Sequence, residues 1–596
     1  MVQGPVKRAL FGLMRSLLPA ERILRASWIA ALLALGAHVP AQDIQQVNLK
    51  KPVTLSGNLS FSMESYSVNG IPPRRQPFTW TLSGAPTLTV LGVQMPFQLL
   101  LGNFENRFYQ PFNQYGISPR YKWLTVHAGY RNINFQPYTL AGFRMLGGGV
   151  EINTAYKNEP GSTGLRFGFM YGRLNRSTAL DSAQFANPLA FRPLPSYTRM
   201  AYAVKLGLGN DQGYFDVSYL YGWDVERSLT SAQRDSVAPQ RNTAVGFSWR
   251  KDLYRKNKRR LFWKTDLGMS AYTLDDRQPA YDVGGETNLV QDVVGGWLGA
   301  KISTQYLSAG ETSLNYEGAG GGVGVSYKRV DPEYRSMGAY FFQNDIEQFT
   351  LTPRLRLDSG RVSINTSFGL QRDNLLGQRT VTSERLIGNV NLNWNPTRTF
   401  GVNAGWSNFG VTQNPTRVSP DAELFKQVSN SFTLVPYFNK VGEKIVRTIQ
   451  FVGVYQRLNS PVSTINAPAD QHTLVGAFVY SRTWVARGIT TTGSLNYNNT
   501  VLPQGDVGSM GGGLGLGFPM LKRKLQVGVN GMYNRNHFNG EENGFTVSGV
   551  ADLGIAVHKK GRLSLQGILM RNEAADETVF RSFEEVITRV TYGLNF

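Results

Sequence analysis

The chain has 596 residues, a mean hydropathy of −0.26 and a net charge of +21, with 64 glycines, 12% aromatic residues and no cysteine. The missing cysteine excludes disulfides, thiolate metal sites and cysteine nucleophiles. No apolar run reaches the roughly 20 residues that a membrane-spanning helix needs.

The N-terminus reads as an export address. Lys7, Arg8, Arg15, Arg22 and Arg25 precede the apolar stretch 26–37, which is followed by "VPA" at 39–41. A basic region, a short apolar region and small residues before the cut describe a secretory signal peptide. We expect residues 1–41 to be removed, with 42–53 as a short periplasmic segment. That removal takes five basic residues and one acidic one, leaving +17. Such a balance favours acidic partners, and the placement of the charge matters more than its total.

From residue 54 onward the sequence alternates. In 54–65, Leu55, Gly57, Leu59, Phe61 and Met63 interleave with polar residues. In 385–395, Leu386, Val390, Leu392 and Trp394 lie opposite Asn389, Asn391, Asn393 and Asn395. Residues 400–408 and 525–534 repeat the pattern. A soluble sandwich would also alternate, but segments of 10–14 residues suit a tilted bilayer crossing. Aromatics gather toward strand ends, as interfacial girdles require. From 358 onward, short spacers such as 358–361, 395–399, 485–488, 519–524 and 558–561 take turns with longer ones, 410–427, 460–470, 537–544 and 572–581. That is the rhythm of a barrel with two unlike rims.

Two glycine-rich runs, 318–325 and 511–518, lack the following helix and acidic residue of a nucleotide site, so they read as bent strands. The basic run 250–260 reads as a rim turn beside anionic headgroups, and no nucleic-acid partner is expected. The four histidines beyond residue 41 have no metal-ligand spacing, and no cofactor or metal site is expected. A lipase-like centre would need Ser and His on neighbouring strands with a third orienting group; the sequence points to none. Lys205, Arg354, Arg356 and Arg589 fall in the polar phase of their strands. They would form either an anion-favouring lumen or structural charge paired across strands.

The chain ends on "VITRVTYGLNF", whose Val590, Tyr592, Leu594 and Phe596 share one phase. This ending resembles the assembly signal of bacterial outer-membrane β-barrel proteins, and the Asn- and aromatic-rich strands are similar to barrels of Bacteroidota. The resemblance implies reading by the barrel-assembly machinery, an outer-membrane location and a last strand that pairs with the first. It also implies both termini in the periplasm, and hence an even strand number. Thirteen segments fall between 346 and 596 and six between 144 and 273. Three or five are then required before 144, and two or four within 274–345. The expected fold is therefore an all-β, closed antiparallel transmembrane barrel over 54–596 with about 26 strands, 24 being the next choice. Set beside other large barrels, the chain shows neither a plug domain before its first strand nor periplasmic repeats. Two functions fit: a channel or transporter for small polar or anionic solutes, or a non-conducting scaffold that holds another envelope protein. The Pro- and aromatic-rich segment 105–143 would lie either in the lumen or in an external loop. Catalysis is not expected.

Overall fold

The computed structural model describes residues 52–103, 113–156, 162–178, 195–280, 301–339, 343–379, 381–415, 425–459, 470–502, 505–578 and 581–596. The segment read as a signal peptide, most of 42–53 and parts of loops 410–427 and 460–470 lie outside them.

The wall is a closed antiparallel barrel of 26 strands with almost no helix. Five strands precede residue 133: β1 (Asn58–Asn69), β2 (Phe78–Gly84), β3 (Val93–Gly102), β4 (Gln114–Ile117 with Arg120–Tyr121) and β5 (Leu124–Asn132). Six follow: β6 (Arg144–Asn153), β7 (Gly164–Asn175), β8 (Thr198–Gly209), β9 (Gly213–Val225), β10 (Arg241–Lys256) and β11 (Arg259–Thr273). Two lie within 274–345, β12 (Thr304–Gly318) and β13 (Gly321–Val330). The rest begin with β14 (Ile346–Leu357), β15 (Val362–Arg372), β16 (Val381–Trp394), β17 (Phe400–Pro415), β18 (Phe425–Val441) and β19 (Ile445–Asn459). They end with β20 (Gln471–Trp484), β21 (Ile489–Leu502), β22 (Gly505–Met520), β23 (Leu525–Phe538), β24 (Glu541–His558), β25 (Gly561–Glu573) and β26 (Phe583–Asn595). β26 pairs with β1 in continuous register from Asn58↔Asn595 to Asn69↔Glu584. The terminal Phe596 N–H adds a bond of 2.9 Å to the Gly57 carbonyl. Closure leaves no sheet edge, which a hydrocarbon environment would not tolerate.

The alternation of the sequence becomes two faces. Leu206, Leu208, Phe215, Phe247, Leu267 and Met269 stand exposed on the outside, while Ala201, Ala203, Ser218, Leu220, Asn242 and Ser270 are buried on the inside. An apolar outer surface around a closed sheet is the signature of a wall facing lipid. Of the glycine runs, 511–518 lies within β22 as expected, whereas 318–325 spans the turn from β12 into β13.

Strand alternation sorts the connections into two rims. The turns at 257–258, 358–361, 521–524 and 559–560 share a rim with the C-terminus, here the C-terminal rim. The loops after β5, β13 and β25 leave the opposite, distal rim. The expected strict exchange of short and long spacers fails at two distal connections: only 503–504 join β21 to β22, and 537–544 is strand on both sides of a two-residue turn, Asn539 and Gly540. Left-handed Asn539 (φ 52) and Gly540 (φ 84) allow this tight reversal.

Candidate functional site: the lumen and its inner layer

A barrel this wide has a lumen that wall side chains alone do not fill. On one arc the chain supplies a second layer. The loop 133–143 between β5 and β6 and residues 331–339 of the loop between β13 and β14 turn inward, and meet as a short parallel pair, Leu140–Ala141 with Gly338–Ala339. The alternatives for 105–143 are thus both too simple: 114–132 is largely wall, 133–143 lies in the lumen, and 104–112 falls outside the described residues.

Small inner residues make this docking possible. A Cβ placed on Gly268 would lie 2.4 Å from the Cβ of Tyr138, and one on Gly168 would lie 2.6 Å from the Phe135 ring. Ile133, Phe135, Leu140 and Met337 pack with Met170, Ala203, Leu220 and Ala244 of the wall. Tyr138 and Tyr334 pack edge to face, with ring centres 6.0 Å apart. This is burial of the kind found in a soluble core, inside a membrane barrel.

Polar contacts fix the register of the layer. Buried Asn242 donates to Ser270 Oγ (2.7 Å) and the Ala271 carbonyl (3.1 Å), and its Oδ1 accepts the Met337 N–H at 3.0 Å. Ser270 Oγ donates in turn to the Arg335 carbonyl (2.8 Å). Gln136 Nε2 donates to the Leu267 carbonyl (3.1 Å), and Thr139 and Ser218 hydroxyls lie 3.0 Å apart. Between the loops, Tyr334 donates to the Tyr138 carbonyl and Ser336 to the Thr139 carbonyl, each at 2.8 Å.

Below this layer, toward the C-terminal rim, the wall carries charge. Arg166 forks onto Asp216 (Nε–Oδ1 2.9 Å, Nη2–Oδ2 3.0 Å) and covers the Tyr214 ring. Lys205 lies over the Phe135 ring at 5.2 Å, which places it in the lumen under the inner layer. Arg120, Lys122 and Glu151 line the same recess.

One constellation escaped the sequence reading. Ser118 Oγ lies 2.7 Å from His127 Nδ1, and His127 Nε2 lies 3.0 Å from Glu151 Oε2. With Glu151 as acceptor, Nε2 carries the proton, and a neutral ring accepts the Ser118 hydroxyl at Nδ1. The order of groups is that of nucleophile, base and orienter. Ser118, however, is only 3% exposed, too enclosed to reach a substrate carbonyl. The arrangement ties together the break between the two pieces of β4 and strands β5 and β6.

The neighbouring arc over β15–β18 is amide-rich and, among the described residues, single-layered. Asn391 pairs with Asn365 on one side and Gly405 on the other, and Asn393 with Asn403. Asn393 donates to Asn403 (2.6 Å), Asn395 to Asn393 (2.5 Å) and Tyr437 to Asn395 (2.5 Å). The sequence showed this asparagine ladder but not its neighbour on β14, Arg354, which stands opposite Asn365.

The four basic residues singled out by phase all face the lumen, on three separate arcs rather than in one ring. Arg589 is paired with Glu64. Lys205 sits in the recess. Arg354 and Arg356 are exposed near the C-terminal end of β14. Of the terminal residues, Val590 is exposed on the lipid face, and the Tyr592 hydroxyl lies 3.0 Å from His558 Nε2. On the distal rim, hydrogen bonds from the Arg277 side chain hold the Asp275 carboxyl below its ordinary range.

Fold and surface together define the class: an outer-membrane-type transmembrane β-barrel. No family model matches the chain, and no curated protein matches it. Among solved structures, the P pilus usher (PapC) translocation pore is similar over 91% of this chain and 99% of its own, at 10% identity and a TM-score of 0.35. The FrpB iron transporter of Neisseria meningitidis is similar over 93% and 84%, at 9% identity and 0.33. OccAB2 of Acinetobacter baumannii is similar over 66% and 98%, at 8% identity and 0.30. Scores this low carry no functional argument.

Proposed function

We propose that the protein is an outer-membrane channel or transporter for small polar solutes, narrowed along one arc by the 133–143 and 331–345 loops. The carrying observation is the contrast between the two arcs. One arc of the lumen is covered and packed, whereas the neighbouring one, over β15–β18, offers amides and hydroxyls that no other described residue covers to a hydrated solute. The mixed charges of the recess at Arg120, Lys122, Glu151, Arg166 and Lys205 favour anions only locally, because Asp216 neutralises Arg166. Catalysis has no part in this reading, and barrel insertion would use the terminal Phe596 strand.

Reconstitution into planar bilayers tests it. Stepwise conductance is expected, with larger steps when 134–141 is replaced by a short Gly-Ser link. A folded barrel that conducts in neither form would sink the channel reading and favour the scaffold.

A further inference from the structure

The outward face of β18–β20 carries three cations in one row near the C-terminal rim. Lys440 stands opposite Arg447, and Arg447 opposite Arg482. Their phase is that of the lipid face. The next residues inward in the same phase are Phe438, Ile449 and Tyr480, followed by Phe451 and Phe478. Phe438, Ile449, Phe451 and Phe478 are exposed apolar residues.

Like charges directly opposite in an antiparallel pair repel, and here two such pairs adjoin. Among the described residues none of the three has an ion-pair partner. Arg482 lies over the Trp484 ring at 4.6 Å, and its Nε is buried with no acceptor. Glu443, in the turn after β18, is the one carboxylate nearby in sequence. Lys444 follows it, and the next turns bring Arg487, Lys522, Arg523 and Lys524.

We infer that Lys440, Arg447 and Arg482 bind the phosphate of an anionic phospholipid whose acyl chains lie along Phe438, Ile449, Phe451 and Phe478. Neighbouring strands are about 4.8 Å apart, so the row spans about 10 Å, the scale of a phosphodiester headgroup. Guanidinium groups fork onto phosphate oxygens, and the lysine adds a point charge. The apolar strip continuous with the row selects a lipid over free phosphate, which could use the cations but not the strip.

The test compares the wild-type barrel with the triple variant Lys440→Gln/Arg447→Gln/Arg482→Gln, each verified as heat-modifiable. Native mass spectrometry of detergent-solubilised protein follows binding of dioleoylphosphatidylglycerol, dioleoylphosphatidylcholine and inorganic phosphate. Phosphatidylglycerol affinity should fall about fivefold per charge removed, on the order of a hundredfold for all three. Lys522→Gln/Arg523→Gln/Lys524→Gln, which removes equal charge from a neighbouring turn, should lose far less. If the triple variant does not assemble, Arg447→Gln alone should still lose about fivefold. Equal losses in the two triple variants would reduce the effect to diffuse rim charge and overturn the site. So would unchanged affinity, indifference between the two lipids, or binding of inorganic phosphate as tight as that of lipid.

Discussion

Glu64 of β1 and Arg589 of β26, 525 residues apart in sequence, join across the strand pair that closes the barrel, with Arg589 Nε donating to Glu64 Oε2 at 3.0 Å. Arg589 also donates to Gln566 at 3.4 Å. The arginine is partly exposed, so solvent screening limits its worth to about 0.5–1 kcal/mol. Arg589→Ala should lower the temperature of heat-modified gel migration by only a few degrees. The exchanged pair Glu64→Arg with Arg589→Glu should recover most of that loss. A collapse of folded barrel in the single variant would show that the seam depends on this contact far more than its exposure allows.

Asn242 should matter much more. It is fully buried and serves three partners in two layers, so Asn242→Leu leaves the Met337 N–H without its acceptor. Each orphaned buried group costs about 1–3 kcal/mol. We expect a clear drop in thermal stability and faster protease cleavage within 331–339. Cleavage unchanged from wild type would mean that the inner layer is held by its apolar contacts alone.

Gly268 is a packing position. Gly268→Val should expel Tyr138 from the wall and enlarge single-channel conductance, since the new Cβ and the tyrosine Cβ cannot share 2.4 Å. Gly531→Ala is the comparison, because a Cβ there meets nothing within 4 Å. It should shift stability by less than about 0.5 kcal/mol. Similar conductance in all three proteins would place the constriction elsewhere.

Phe596→Ser should reduce the amount of assembled, heat-modifiable barrel without producing a soluble pool. The last strand carries the insertion pattern and closes the sheet. Wild-type levels of folded protein in the outer-membrane fraction would remove the assembly-signal reading of Val590, Tyr592, Leu594 and Phe596.

Sidedness is open to a labelling experiment in a chain with no cysteine of its own. Single cysteines at Lys559 and Asp576 lie in exposed connections of opposite rims. The C-terminal rim should be periplasmic, because short turns gather there. An impermeant maleimide on intact cells should therefore label position 576 and spare 559. The reverse result would invert the topology.

The wall was readable in the sequence because a half-lipid, half-water strand must alternate. Thirteen crossings after residue 346 and the Phe596 ending left only the regions before 144 and within 274–345 to be counted. The inner layer was not readable. Residues 331–345 have neither the period of a strand nor that of a helix, and Gly168 and Gly268 look like any glycine in a curved strand. Only the fold reveals that these glycines leave room for rings. The pairing of Ser118, His127 and Glu151 was hidden for the same reason, because register across strands decides which side chains meet. The exchange of short and long spacers failed at 503–504 and at 539–540, where in the second case a left-handed Asn-Gly turn let both strands run on.

The two inward loops leave the distal rim on either side of eight consecutive strands, β6–β13, and grip each other at Leu140–Ala141 and Gly338–Ala339. Mechanically they form a chord across an arc. With the chord in place, the curvature of those eight strands is set: to flatten or bulge, the arc must first break the chord or strip it from the wall. Among the described residues, the other strands carry no such brace. The compliance of the cross-section is therefore uneven, and any swelling of the lumen to admit a larger solute falls on the strands outside β6–β13, the asparagine-rich arc among them, moving the wall away from a stationary inner face.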